Sequence, residues 1–270
     1  MRRLYFIQLL FLLFCIGCEW RWNTADDAVD DRTVTVQRYD RLECLYLTTG
    51  DFSALQQMNT GYPRQTRTLI EDVVKIGRAD DPEINHKFLA YFQDSTLQSL
   101  ISEAQQQYAQ MDDIEEELSD AFAWLCKEIP GFVVPTVYAQ VSSLDQSIVV
   151  AGDQLGISLD KYLGSDYSLY QRPDYGYTDH QRQMMRRQCI VPDCLSFYLL
   201  SLYPMPVGSD SSQVARDMHM GKIQWVVNRS MNREFFQNLY VRTVDRYMKK
   251  NRNLGIVQML EQVDSRAIRN

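Results

Sequence analysis

The sequence predicts an α+β fold that is predominantly helical, in a single domain with a small central β-sheet. Two observations favour it: helical periodicity dominates both ends of the chain, and β-branched, strand-like segments are confined to its middle. A third is the lack of any repeat, low-complexity tract or linker long enough to separate two domains. The order is therefore helices, a small sheet, then helices.

The first residues predict an export signal. Arg2 and Arg3 precede an apolar run over residues 4–16, which is shorter than the roughly 20 apolar residues of a spanning helix. The run ends in a small residue followed by Cys18, as in the bacterial lipobox, whose last cysteine is acylated. The alternative is an ordinary signal peptide with an unrelated Cys18. We predict three parts: a lipoprotein signal peptide (1–17), a tether (18–32) and a folded domain (33–270).

The composition argues against nucleic acid as a partner. The formal net charge is −7, and loss of residues 1–17 would leave 26 basic against 35 acidic side chains, or −9. An acidic chain binds nucleic acid and anionic headgroups poorly. We therefore expect membrane attachment through acyl chains, with Trp20 and Trp22 of the tether at the bilayer interface.

Four further cysteines lie in the predicted domain, and two disulfides or four free thiols are both possible for an exported chain. Each has apolar neighbours, and about 240 residues bury enough surface without cross-links. We favour free, buried thiols at Cys44, Cys126, Cys189 and Cys194.

In the part of the chain before the sheet, we predict one strand followed by helices. Alternation predicts the strand over residues 34–39, and helical segments follow over 41–47, 62–76 and from Pro82. The strongest pattern is a stripe with a spacing of three or four residues. It consists of Ile101, Ala104, Tyr108, Met111, Ile114, Leu118, Phe122 and Leu125. A capping pair, Asp112 with Glu115, is expected to divide this stripe into two helices.

The middle of the chain carries the predicted sheet. Residues 132–141 and 148–150 are β-branched, and residues 156–159 are a candidate third strand. Pro192 suits the first position of a helix that ends near Tyr203. Helices are also predicted over 214–228, 236–248 and 254–263.

Residues 153–170, here called the central segment, concentrate glycines, tyrosines and charges between the sheet and the helix from Pro192. Irregular segments of this kind often carry function, but a structural loop pinned by tyrosines is the alternative. The candidate binding residues are Asp160, Lys161, Tyr162, Gly164, Ser165, Asp166 and Tyr167. Lys161 has no evident core role beside Tyr162, which favours binding there.

The sequence carries no recognised catalytic or cofactor-binding motif. The chain has no G-x-S-x-G, H-E-x-x-H, phosphate-binding loop or dinucleotide fingerprint. His180, Cys189, Cys194 and His219 do not have the spacing of a zinc site. We predict no catalytic residues, no metal and no cofactor.

Five strings occur in order that together resemble the gliding motility lipoprotein GldB family of Bacteroidota. They are Val36–Asp40, Ile129–Pro135, Ile157–Tyr167, Ile190–Asp193 and Gly221-Lys222. The resemblance covers most of residues 34–229 and returns at 241–260, and L-D-K-Y-L-G-S-D-Y is its most specific string. The lipobox agrees with it, since family members are lipoproteins.

The resemblance implies a degenerate zincin-like fold without metal ligands. Met220 stands where the family often has glutamate. The implied function is that of a non-catalytic, lipid-anchored, periplasm-facing envelope protein in a gliding motility or secretion assembly, with other envelope proteins as partners. The alternatives are a zincin-derived hydrolase and a ligand- or glycan-binding lipoprotein. A cavity lined by Tyr162, Tyr167 and Tyr170 would favour the last.

Overall fold

The computed structural model describes residues 33–207, 212–262 and 267–268, and most of these residues are helical. The helices are α1 Tyr39–Thr49, α2 Phe52–Gly61, α3 Pro63–Thr68, α4 Ile84–Tyr91, α5 Ser95–Gln107, α6 Asp112–Glu128, α7 Asp179–Met184, α8 Ile190–Leu202, α9 Gln213–Ser230, α10 Leu239–Lys250 and α11 Ile256–Gln262. With the small sheet between α6 and α7, this confirms the predicted α+β, predominantly helical class.

The amphipathic stripe predicted over residues 101–125 is buried in the core, and it spans α5 and α6 as expected. The expected capping pair is wrong, however. Asp112 is the first residue of α6, and Met111 precedes it without a side-chain cap. Glu115 instead accepts a hydrogen bond from the backbone N–H of Val36 at 2.7 Å. The carboxylate of Glu115 therefore bonds to the buried N–H of Val36 instead of capping the start of α6.

The sheet has three strands, β1 Thr136–Gln140, β2 Ile148–Ala151 and β3 Gln154–Ser158, in the order β1-β3-β2. β3 lies between the others, parallel to β1 and antiparallel to β2. All three strands predicted for the middle of the chain therefore exist: the first is shorter than expected, the second is one residue longer, and the third begins two residues earlier. The central segment therefore begins in the turn before β3 and includes the whole of that strand.

The strand predicted over residues 34–39 is wrong. Only Gln37 pairs with the sheet: its N–H donates to Val137 and its carbonyl accepts from Ala139, both at 2.9 Å. The chain then turns into α1 at Tyr39, whose side chain is fully buried. Burial of the Tyr39 ring favours a helix from this residue onward, although the residues before it alternate as in a strand.

Helix α8 packs against β2, β3 and α6, so it forms the centre of the core. It begins at Ile190, which places Pro192 third rather than first in the helix. Proline is tolerated there because the N–H groups of a first turn have no helical partner. Within the described ranges, no helix is both long and apolar enough to cross a membrane.

The four domain cysteines are free thiols, as expected, but not all are buried. Cys189 and Cys194 are buried, Cys44 is half-buried and Cys126 is exposed. Burial raises the pKa of the Cys194 thiol well above its usual value, which makes that thiol unreactive.

Candidate functional site: a pocket at the carboxyl ends of β1 and β3

The candidate site lies where the parallel strands β1 and β3 end. Residues 141–147 follow β1, and Leu159–Lys161 follow β3 as a single 3₁₀ turn. Carboxyl ends of parallel strands lie at one sheet edge, a common position for ligand sites in open sheets. The two segments are joined here by side-chain hydrogen bonds.

Asp160 forms this junction. Its side chain is fully buried and accepts hydrogen bonds from the N–H groups of Ser142, at 2.9 Å, and Leu144, at 2.6 Å. Burial raises the pKa of Asp160, and these two N–H groups act in the opposite direction. Asp160 was predicted as a binding residue, but it is placed to hold the 141–147 loop.

The loop that Asp160 holds is strained. Ser143 and Leu144 have φ angles of +53° and +66°, a left-handed conformation that is uncommon for side chains other than glycine, asparagine and aspartate. Such strain persists only where surrounding contacts enforce it. The conformation of this loop is therefore set by its contacts with the rest of the fold and not by the preferences of its own residues.

A second buried carboxyl supports the start of the same loop. Glu43 of α1 is fully buried, and its Oε2 accepts a hydrogen bond from the N–H of Val141 at 2.8 Å. Burial raises the pKa of Glu43 well above its usual value, and the nearby carboxyls of Asp160 and Asp40 raise it further. Glu43 is thereby favoured in its neutral form.

Beside this loop lies a pocket of about 210 Å³, here called the Lys161 pocket. Its polar lining comes from Ser147, Lys161, Tyr162, Tyr177, His180, Gln181 and Asp193. Met184 and Met185 add apolar surface. Elements far apart in sequence therefore meet here: the two post-strand segments, α7 with the chain before it, and the first turn of α8.

Lys161 is half-buried and held in place at the pocket. Its Nζ donates to the carbonyl oxygen of Leu144 at 3.2 Å and to the hydroxyl of Tyr177 at 3.0 Å. The ammonium also lies 4.7 Å from the centre of the Tyr177 ring, within cation–π range. Lys161 thus has a structural contact that its sequence context did not indicate.

Tyr162 and Asp193 form the inner wall. The hydroxyl of Tyr162, a fully buried residue, donates to Oδ2 of Asp193 at 2.8 Å. Burial raises the pKa of Asp193 to about 6, while the hydrogen bond from Tyr162 lowers it. This carboxyl therefore changes charge near neutral pH.

The remaining candidate residues lie away from the pocket. The N–H of Gly164 donates to the carbonyl of Met185 at 3.0 Å, which joins this segment to the chain before α8. Gly164 has a φ of +113°, as expected for a glycine at a turn. Ser165 and Tyr167 are half-buried and Asp166 is exposed, so these three form a separate, more open surface.

The tyrosines of the central segment have different roles. The hydroxyl of Tyr170, a fully buried residue, donates to the carbonyl of Asp160 and accepts from the N–H of Leu163 at 3.0 Å. Tyr167 packs edge-on against Tyr170, with ring centres 5.1 Å apart. A cavity lined by Tyr162, Tyr167 and Tyr170, which would have favoured a ligand- or glycan-binding lipoprotein, is therefore not found. Of these three only Tyr162 lines the pocket, and Tyr177 supplies its second ring.

Sequence reasoning missed Tyr177, Asp193 and the 141–147 loop. Asp193 did carry a signal, because it is the lone charged residue of α8, whose sequence is otherwise nearly apolar. A carboxyl in such a helix is costly unless it has a partner. Nothing local marked Ser143 and Leu144 as left-handed.

The histidines do not form a cluster with the cysteines. His219 is buried and its Nε2 lies 2.8 Å from the carbonyl of Tyr203, whereas His180 is exposed at the pocket rim. No group of three or more His, Cys, Asp or Glu side chains within the described ranges is placed to hold a metal ion.

Residues 21–235 match the family model of gliding motility protein GldB. Because the match spans more than half of the chain, the chain belongs to this family and to the class of proteins associated with gliding motility. Comparisons with curated proteins and with solved structures gave no match.

Proposed function

We propose that this chain is a non-catalytic, lipid-anchored protein of the cell envelope that acts by binding within a gliding motility or associated secretion assembly. Family membership supports the link to gliding motility. The anchor rests on the predicted acylation of Cys18, which lies outside the described residues. Export by the predicted signal supports a position facing the periplasm.

The strained 141–147 loop is the observation that carries the binding role. The chain places two buried carboxyls, Glu43 and Asp160, behind this loop and tolerates two left-handed residues in it. Each such feature costs stability. A fold that accepts this cost to fix one surface is typical of a preorganised recognition site.

The fixed polar groups of the pocket favour recognition over catalysis. Asp193 accepts from the hydroxyl of Tyr162, and Lys161 donates to a backbone carbonyl and to Tyr177. These hydrogen bonds to fixed neighbours hold both charged groups in one orientation. The proposed contact for envelope partners consists of Lys161, which lines the pocket, together with the open surface of Ser165, Asp166 and Tyr167.

Small-ligand binding is a second candidate function, favoured by the Lys161 pocket itself. Its tyrosine and methionine side chains supply apolar surface around hydrogen-bonding and charged groups, as in ligand sites. The two functions are compatible, since Ser165, Asp166 and Tyr167 lie outside the pocket and remain open to a partner when a ligand is bound.

The experiment is purification of the tagged, full-length chain from detergent-solubilised envelopes of gliding cells after reversible crosslinking. We expect a defined set of envelope proteins in fixed ratio to the chain. Recovery of the chain alone, at the same yield and with its acyl group attached, would contradict an assembly role.

A further inference from the structure

The Lys161 pocket contains one positive and one negative group that do not bond to each other. Both hydrogen bonds of the Lys161 ammonium go to Leu144 and Tyr177, and the Asp193 carboxyl is bonded to Tyr162. Opposite charges in one small cavity normally pair directly. Here the surrounding groups hold them apart.

Each charge retains bonding capacity. An ammonium has three N–H donors, of which Lys161 uses two, so one remains. Asp193 uses Oδ2 for Tyr162, so its second oxygen, Oδ1, can accept from a ligand. The pocket thus offers one donor with positive charge and one acceptor with negative charge.

The size of the pocket restricts the ligand. Drug-sized molecules occupy pockets of roughly 300–1,000 Å³, and this one has about 210 Å³. That volume suits a molecule of about amino-acid size. The rings of Tyr162 and Tyr177 and the thioethers of Met184 and Met185 can contact an aliphatic portion.

We propose that the Lys161 pocket binds the zwitterionic head group of an α-amino acid, with the α-ammonium on Asp193 and the α-carboxylate on Lys161. The head group belongs either to a free amino acid or to the end of a longer molecule that leaves the pocket past His180. This inference goes beyond the proposed assembly role, which does not require an occupant.

Ligands of a single charge fit less well. A carboxylate alone would meet Lys161 but place a second negative group beside Asp193. An amine alone would meet Asp193 but lie near the Lys161 ammonium. A zwitterion satisfies both groups and leaves no buried charge without a partner.

Binding should also depend on pH. Burial raises the pKa of Asp193 to about 6, and a ligand ammonium favours the ionised carboxyl, so binding lowers that pKa. Affinity should therefore fall as the pH drops below 6. Protonation of Asp193 removes the partner of the ligand's ammonium.

The test is calorimetric titration of the purified full-length chain in detergent with alanine, leucine, glutamine and lysine. For whichever binds, the N-acetyl and the carboxamide derivatives are then titrated. We expect each blocked form to bind at least about tenfold more weakly, because each loses one charge-assisted contact. No binding by any of the four, or equal binding by the blocked forms, would overturn the proposal.

Two variants and matched controls add a second arm. Asp193→Asn and Lys161→Met should each weaken binding by at least about tenfold, while the exposed Asp120→Asn and Lys127→Met should leave it unchanged. Equal losses in the control variants would contradict the assignment. If a pocket variant fails to fold, the blocked ligands still decide the question.

A lysine carrying a short peptide on its ε-nitrogen separates the two sources of the head group. Tighter binding than free lysine assigns the site to the end of a longer molecule, and weaker binding assigns it to a free amino acid. Neither result depends on envelope partners, so this proposal and the assembly role can fail separately.

Discussion

The carboxyl of Asp160 accepts a hydrogen bond from the N–H of Leu144 at 2.6 Å, and this contact joins the segment after β3 to the strained loop after β1. Leu144 in turn accepts a hydrogen bond from Lys161 through its carbonyl oxygen. One buried carboxyl thereby sets the position of the lysine that faces the pocket.

Asp160→Asn should destabilise the fold by about 1–3 kcal/mol. An amide keeps one acceptor oxygen, but its NH₂ group faces an N–H donor of Ser142 or Leu144, which is left unsatisfied in the interior. Urea unfolding measures the change. The exposed Asp166→Asn is the control and should unfold as the wild type does.

Glu43→Gln provides an informative contrast, because it is also a buried carboxyl-to-amide change. The raised pKa of Glu43 favours its neutral form, which an amide mimics while still accepting from Val141. We expect an effect within about 1 kcal/mol. A loss as large as that of Asp160→Asn would show that Glu43 is needed as a charged group.

Asp193 should make stability depend on pH between about 4 and 6. Its folded pKa of about 6 lies above its usual value, because burial disfavours the charge. The folded state therefore binds the proton more tightly, and the stabilisation is present at low pH and is lost as the pH rises through 6. Asp193→Asn should remove this component from a series of urea unfolding curves.

The hydroxyl of Tyr162 should be visible in the same titration. Tyr162→Phe removes a donor that favours the ionised carboxyl, so the pKa of Asp193 should rise further. NMR titration of the Asp193 carboxyl measures it directly. An unchanged or lower pKa in this variant would contradict the assigned contact.

Gly156→Ala should be destabilising because Gly156 lies opposite Tyr138 in the sheet. A Cβ there would lie 2.6 Å from Cζ of the fully buried Tyr138 ring, so the ring or the strand would have to shift. We expect a loss of about 1–3 kcal/mol by thermal unfolding. Gly61→Ala, where a Cβ meets nothing within 4 Å, is the matched control and should not destabilise.

Cys18→Ser should leave the chain unprocessed or free of the membrane. The thiol is the predicted acylation site, and serine cannot form the same thioether. Metabolic labelling with a fatty acid, followed by membrane fractionation, measures both effects. Normal labelling and membrane retention of the variant would rule out Cys18 as the anchor.

Much of the fold was predictable where a periodic pattern coincides with burial. The stripe from Ile101 to Leu125 is the best case, since every position of it is buried. The strand over residues 34–39 was predicted wrongly, because in this segment only Gln37 pairs with the sheet. Alternation indicates a preference for extended structure, but pairing depends on distant residues.

The pocket could be predicted only in part for the same reason. Lys161 and Tyr162 were identified as candidates, and both line it. Tyr177 and Asp193 lie 16 and 32 residues beyond Lys161 and reach the pocket only through tertiary packing. The left-handed angles of Ser143 and Leu144 follow from bonds to Asp160 rather than from their own chemistry.

A paired measurement on Lys161→Ala most directly tests whether this site binds envelope partners. The melting temperature of the purified chain and the amount of envelope partner recovered with it are both determined, with Lys127→Ala as the exposed control. Loss of the contacts with Leu144 and Tyr177 should cost only about 1 kcal/mol. We expect near-normal melting with partner capture lost. A variant that keeps both its melting temperature and its partners would contradict the binding role of this site.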